Sequence, residues 1–158
     1  MSHCHCGNPL PYQECCQPYH LGLKQAPTCE ALMRSRFSAY IEQQGDYLFN
    51  TWHPDTRHKL TPAALAQSGK ETDWRSLNVL ASEGGPADQA GVVEFVAWFM
   101  VDGELQYHHE KSNFSRINGA WVYVDGIFNP KNQSVIPGRN EPCPCMSKKK
   151  FKACCGKN

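Results

Sequence analysis

The chemistry within reach of this chain is concentrated in its cysteines. Cys4-His5-Cys6, eight residues and then Cys15-Cys16 stand near the start; Cys143-Pro144-Cys145, eight residues and then Cys154-Cys155 stand near the end. Eight of the nine cysteines fall in these two C-x-C-x8-C-C clusters, and the ninth is Cys29. A C-x-C pair sets two sulfurs at alternate positions of an extended or turning backbone. The eight residues that follow let the chain loop back and present a second pair. Zinc accepts four thiolates at about 2.3 Å and imposes no d-electron geometry of its own. The expected cofactor is therefore zinc, two ions per chain, with Cys4, Cys6, Cys15 and Cys16 holding one and Cys143, Cys145, Cys154 and Cys155 the other. Modules this small bury little apolar surface, so metal would supply most of their folding energy, on the order of 10 kcal/mol. Disulfides are one alternative, opposed by the strain of a vicinal Cys15–Cys16 bridge. An iron–sulfur cluster is another, opposed by its different usual spacings. His3 and His5 stand beside the first cluster, where solvated or supporting positions suit them better than replacing a cysteine ligand. Cys29 reads as a small core residue.

Acid–base chemistry has a second set of candidates: Asp46, Tyr47, His53, Tyr107, His108, His109, Glu110 and Tyr123. On a strand, Tyr107 would share one face with His109, and His108 the other with Glu110. The simpler reading is an ordinary strand whose polar members meet water. His53-Pro54 with Asp55 reads as a turn that closes a helix. The chain contains no glycine-rich phosphate loop, nucleophile elbow or His-Glu-x-x-His helix.

The elements that must carry these residues follow from the patterning. Of 158 residues, 41% are hydrophobic and 11% aromatic, enough for one packed domain with short appendages. No apolar run reaches 18 residues, so no transmembrane helix is expected. The start, Met1-Ser2-His3-Cys4, shows no secretory signal, and the expected compartment is the cytoplasm, where clustered thiols stay reduced. The net charge of +1 hides an asymmetry: from Gly138 onward six Lys/Arg face one acid, Glu141, whereas residues 29–137 carry nine basic and thirteen acidic side chains.

Residues 1–18 read as the first cysteine module and 138–158 as the second, with a body over 28–128 and a polar linker over 130–138. Thr28 is expected to cap a helix over roughly 29–44, with Met33, Phe37, Tyr40 and Ile41 on its apolar face and Gly45 ending it. Asp46 would cap a short helix carrying Tyr47, Leu48 and Trp52, and Thr61-Pro62 opens a third over 63–67. Beyond Ser68-Gly69 the pattern turns to strands. The first holds Trp74, Leu77, Val79 and Leu80. A two-sided apolar strand over 92–101 follows, then one over 105–117 after the Asp102-Gly103 turn, and one over 120–125 after Asn118-Gly119. Helices followed by an antiparallel meander specify an α+β fold, a curved sheet wrapped against the long helix.

Gly138-Arg139-Asn140-Glu141-Pro142-Cys143-Pro144-Cys145, Ser147, Lys149-Lys150-Phe151-Lys152 and Cys154-Cys155-Gly156 resemble the SEC-C motif. That is the small zinc-binding module at the C-terminal end of the SecA translocation ATPase and in many unrelated bacterial proteins. Met146 stands where that motif usually has glycine. The N-terminal copy keeps the cysteines but has Pro11 where lysines are common. With Leu32-Met33-Arg34-Ser35-Arg36-Phe37, Thr51-Trp52-His53-Pro54 and Trp121-Val122-Tyr123-Val124-Asp125-Gly126 between them, the whole chain resembles the YchJ family. The resemblance implies a central cone of helices on a curved sheet, like nuclear transport factor 2, and assigns no biochemical role.

Three roles follow as expectations. The first is a cytoplasmic adaptor that docks a protein partner through its modules, with Arg139, Lys148, Lys149, Lys150, Phe151 and Lys152 as the contact surface. The second is a small-molecule binder or enzyme whose chemistry lies in the cone, with the modules structural; an enzyme is the less favoured of these. The third is nucleic-acid binding through the basic module, opposed by the acidic body and by Phe151 being the tail's one aromatic. Pairing of two copies through the open sheet face is left open by the resemblance.

Overall fold

The computed structural model describes residues 3–130 and 135–157, so part of the expected 130–138 linker lies outside the described residues. Four helices precede the sheet: α1 (Gln17–His20), α2 (Cys29–Ile41), α3 (Gly45–Asn50) and α4 (Pro62–Glu71). The two long ones begin where their caps predict. The Thr28 and Thr61 hydroxyls accept from Ala31 N and Ala64 N at 3.1 and 3.0 Å, and Pro62 takes the first position of α4.

Two expected stops are different in kind. α2 ends at Ile41, with Gln43 in the left-handed region (φ 55°), and Gly45 opens α3 instead of closing α2. α4 runs through Ser68-Gly69 to Glu71. Both glycines are there for close approach: a Cβ on Gly45 would strike the Pro62 carbonyl, and one on Gly69 the Tyr40 carbonyl. Asp46 lies in the first turn of α3, not at its cap.

The sheet is a four-stranded antiparallel meander in the order β1 (Asp73–Glu83), β2 (Ala90–Val101), β3 (Glu104–Ile117), β4 (Ala120–Phe128). Asp102-Gly103 and Asn118-Gly119 make the two tight hairpins, all four residues at positive φ. β2 is internal, and its apolar residues divide between the two faces. Val93, Phe95 and Ala97 join Leu32, Met33 and Phe37 of α2, Leu77, Phe114 and Trp121 in the main core. Each such large side chain withdrawn from water contributes about 1.5–3 kcal/mol. Val96 and Trp98 point to the opposite face and are also buried, as is His109, so the centre of the outer face is already covered within one chain.

α2 buries two faces. One carries the apolar core residues. The other presents Arg34 and Ser38, with Glu42 just past the helix end, to the first cysteine module and Ser35 to His20 of α1, polar contacts that apolar periodicity does not reveal.

Candidate functional site: two cysteine clusters and the interior of the cone

In each cluster the four sulfurs lie within 4.8 Å of one another: Cys4, Cys6, Cys15 and Cys16 in one, Cys143, Cys145, Cys154 and Cys155 in the other. That convergence suits a single metal ion, with both expected quartets brought together and neither His3 nor His5 among them. His3 is exposed, and His5 turns to Glu42 at 2.7 Å. Burial raises the Cys145 thiol, but hydrogen bonds from Ser147 and the neighbouring cysteines outweigh it and draw the thiol down to about 6; burial pushes Cys155 up to about 12. A metal would replace the protons that such crowded sulfurs share.

The two clusters are one backbone motif used twice. Adding 139 to a number in the first gives its counterpart in the second, as Cys4 gives Cys143. Cys4 N donates to Leu10 O at 2.8 Å, and Cys143 N to Lys149 O at 2.9 Å. Gly7 N donates to Cys4 O and Met146 N to Cys143 O, both at 3.1 Å. A 3-10 turn (Tyr12–Glu14, Phe151–Ala153) brings in the second cysteine pair. Asn8 Nδ2 donates to Cys15 Sγ at 3.4 Å, and Ser147 Oγ lies 3.2 Å from Cys154 Sγ. Gly7 and Met146 both have positive φ, 96° and 69°, so methionine keeps the turn that glycine makes elsewhere.

Each motif is fastened to the body by an arginine on the corresponding carbonyl. Arg34 of α2 donates to Cys6 O at 2.6 Å, and Arg75 of β1 to Cys145 O at 3.1 Å. Around the first module, Ser38 Oγ lies 3.5 Å from Cys4 Sγ. His20 Nε2 donates to Ser35 O at 2.8 Å, which leaves Nδ1 to accept from Tyr12 OH at 2.7 Å. The second module adds one further anchor, Ser76 Oγ to Pro144 O at 2.6 Å. Arg139, Lys148, Lys149, Lys150 and Lys152 are exposed; Phe151, expected to be a free aromatic, is half-buried because its ring lies against Gly156.

A partly open cavity of about 440 Å³ lies between the helices and the inner sheet face. Of the acid–base candidates, His108, Glu110 and Tyr123 meet there. Glu110 is buried, and its Oε1 faces His108 Nε2 at 2.8 Å; Oε2 accepts from Ser112 Oγ at 2.5 Å and Tyr123 OH at 2.8 Å. Burial raises the Glu110 carboxyl, yet the bonds from His108, Ser112 and Tyr123 prevail and hold it below the ordinary value. An ionised carboxylate only accepts, so Nε2 of His108 carries the proton. His109 faces the other way and pairs with Glu94 at 2.8 Å, both buried. The expectation that these strand residues simply meet water therefore fails for both: Glu110 is buried at the cavity under the helices, and His109 is buried on the opposite face against Glu94.

Tyr107 also lines the cavity; the remaining candidates lie elsewhere. Tyr47 bonds Ser35 at 2.7 Å and stacks on His20, Asp46 is exposed, and His53 accepts from Asp55 N in the expected turn. Tyr107 packs on Trp98. Sequence reasoning missed Arg36, which is buried in the cavity wall. It donates to Leu48 O and Thr51 Oγ1 at 2.8 and 2.7 Å, and its guanidinium stands 5.1 Å from the Trp52 and Tyr123 ring centres. It also missed the indole N–H groups of Trp52 and Trp74, which are buried at the cavity without a partner among the described residues. Such groups ordinarily cost about 1–3 kcal/mol each.

Comparison with known proteins places this geometry. Residues 28–126 match the family model described as YchJ, middle NTF2-like domain, and 139–157 match the SEC-C motif. UPF0225 proteins of Photorhabdus laumondii and Serratia proteamaculans are 43% and 46% identical to it. They align over 97% and 98% of this chain and 98% and 97% of their own lengths. The solution structure of a SEC-C motif containing protein from Rhodopseudomonas palustris is similar at 35% identity and a TM-score of 0.73, over 80% of this chain and 98% of that one. The crystal structure of a SEC-C motif containing protein from Psychrobacter arcticus is similar at 36% identity and a TM-score of 0.68, over 99% and 96%. The chain thus belongs to the YchJ (UPF0225) family, an NTF2-like α+β cone that carries a SEC-C motif toward its C-terminal end.

Proposed function

We propose that the chain is a cytoplasmic zinc protein with two Cys4 ions. In this reading the first module staples the body, and the second docks an acidic segment of a protein partner. The observation that carries it is the contrast between two copies of one backbone motif. The first is held by Arg34, Ser35 and Ser38 of α2 and by Glu42 just beyond it, whereas among the described residues the second hydrogen-bonds to the body through Arg75 and Ser76. Where the first has Pro9, Leu10, Pro11 and Gln13, the second has Lys148, Lys149, Lys150 and Lys152, all exposed. Four thiolates on Zn²⁺ sum to −2, and the basic residues from Gly138 onward overcompensate that charge. What remains is a compact positive surface suited to carboxylates.

The test takes native mass spectrometry first and anisotropy second. Two zinc ions per chain are expected, one lost when either quartet is replaced by serine. A fluorescein-labelled glutamate-rich peptide should then bind the zinc-loaded protein and lose at least tenfold in affinity when Lys148, Lys149, Lys150 and Lys152 are changed together to alanine. Tighter binding of an oligothymidylate of equal charge, with a steep salt dependence, would replace the protein partner by nucleic acid.

A further inference from the structure

Arg36, Glu94 and Glu110 are buried among the described residues, and each ordinarily carries a charge. The two carboxylates face histidines at 2.8 Å, Glu94 meeting His109 and Glu110 meeting His108. Glu110 also accepts from Ser112 and Tyr123. Arg36 differs. Arg34 and Arg75 pair with Glu30 and Asp73, but Arg36 forms no ion pair among the described residues. Glu110 acts on it only from beyond ion-pair distance, while burial works against the guanidinium charge. Buried charges are ordinarily paired, so Arg36 stands out.

The donors that Arg36 leaves free can be reached. Both of its protein hydrogen bonds, to Leu48 O at 2.8 Å and Thr51 Oγ1 at 2.7 Å, leave from Nη1. Nε and Nη2 donate to nothing among the described residues. The unpartnered side-chain nitrogens that are wholly covered belong to Trp52 and Trp74. Nε and Nη2 are not among them and so keep accessible surface, although Arg36 as a whole is 3% exposed. Arg36 lines the partly open cavity, whose wall is otherwise largely apolar and includes Phe37, Phe95 and Phe99. A volume of about 440 Å³ suits a small molecule. The Nε and Nη2 donors run parallel along one edge of the guanidinium, the fork that holds a carboxylate by both oxygens.

We propose that the cone binds a small carboxylate with an aromatic or apolar body, its two oxygens on the Nε–Nη2 edge of Arg36 and its body against the phenylalanines. The site asks nothing of the cysteine modules and stands or falls independently of partner docking.

The probe is 2-naphthoate, titrated into the metal-loaded full chain at neutral pH while the arginine Nε–H signals are followed in ¹H–¹⁵N spectra. The Arg36 signal, assigned through its side-chain correlations, should move. Those of Arg34 and Arg75, which donate to Glu30 and Asp73 at 3.0 and 2.9 Å, should stay. 2-Naphthoate should bind at least about tenfold more tightly than 2-naphthamide, which has the same body without the charge. Arg36→Lys keeps the charge but loses the two-donor edge, and should remove most of that preference. If that variant does not fold, the native spectrum and the comparison of the two probes still decide. Changing Lys148, Lys149, Lys150 and Lys152 together to alanine should leave binding intact, which separates the cavity from the basic surface. No shift of the Arg36 signal up to the probe's solubility limit would overturn the proposal, as would binding lost with the four lysines. An amide that binds as tightly as the acid would overturn the carboxylate class.

Discussion

Met146 shows how one residue can carry a cost that its position imposes. The turn after the first C-x-C pair requires positive φ, and glycine supplies it at Gly7 while methionine must adopt it at Met146. The left-handed region costs a β-carbon about 1–2 kcal/mol. Glycine offsets part of that through extra freedom in the unfolded chain, about 0.4–1 kcal/mol. The strain wins. Met146→Gly should stabilise the second module by about 0.5–1 kcal/mol, read as slower loss of bound metal to a chelator, because the side chain is exposed and removing it opens no cavity. Glu110 offers the opposite case, a charge that its neighbours sustain. Its carboxyl is held below the ordinary value, so on acidification the unfolded chain takes up the proton first. The stability it contributes is fully present above about pH 4.5, the unfolded value, and is lost as pH falls through the depressed folded value. Glu110→Gln should lower stability at pH 7 by about 1–3 kcal/mol and flatten the slope between pH 5 and 4 in urea unfolding, relative to the native sequence. Any metal loss at low pH is common to both proteins and cancels in that difference. An unchanged slope would mean that Glu110 is not the titrating group.

At the scale of elements, local signals and long-range contacts divide the fold between them. Thr28, Thr61, Asp102-Gly103 and Asn118-Gly119 each act within three or four residues, and each sits in the structure as its chemistry demands. The cysteine quartets were equally legible, since spacing alone brings the sulfurs together. The second face of α2 was not. Ser35 and Ser38 are fully buried, Ser35 against Tyr47 and His20 and Ser38 against Cys4, and no reading of apolar period along the helix can anticipate polar partners from other segments. Arg36 was hidden for the same reason, as were the Trp52 and Trp74 donors, whose lack of partners is a property of the assembled cone. Gly69 tests the distinction. On propensity alone, Gly69→Ala should strengthen α4 by about 1 kcal/mol. The added Cβ would instead strike the Tyr40 backbone carbonyl, which cannot swing aside as a side chain would. A net loss of about 2 kcal/mol or more is expected in thermal or urea unfolding; a gain would show that α2 and α4 separate easily.

For the molecule as a whole, the two modules share a backbone but differ in how far their loss should spread. The first meets Arg34 and Ser38 of α2 and Glu42 just past its end, on the helix that also presents Leu32, Met33 and Phe37 to the core. Removing its metal would release polar groups that are buried only because the module covers them. Each buried group left unsatisfied costs about 1–3 kcal/mol. The second module touches the body through Arg75 and Ser76 on an edge strand, where water can take over both bonds. Replacing Cys4 and Cys6 by serine should therefore lower the melting temperature of the cone by roughly 5–15 °C, at about 2–4 °C per kcal/mol for a chain of this size. Replacing Cys143 and Cys145 should lower it by no more than about 3 °C while, on the proposed reading, removing one metal ion and the docking of the acidic peptide. The measurement is thermal unfolding followed by near-ultraviolet dichroism, which reports the tryptophans of the cone and none in either module. Equal losses from both pairs of substitutions would mean that the modules are equivalent staples. The reading of the second as a docking surface would then lose the asymmetry on which it rests.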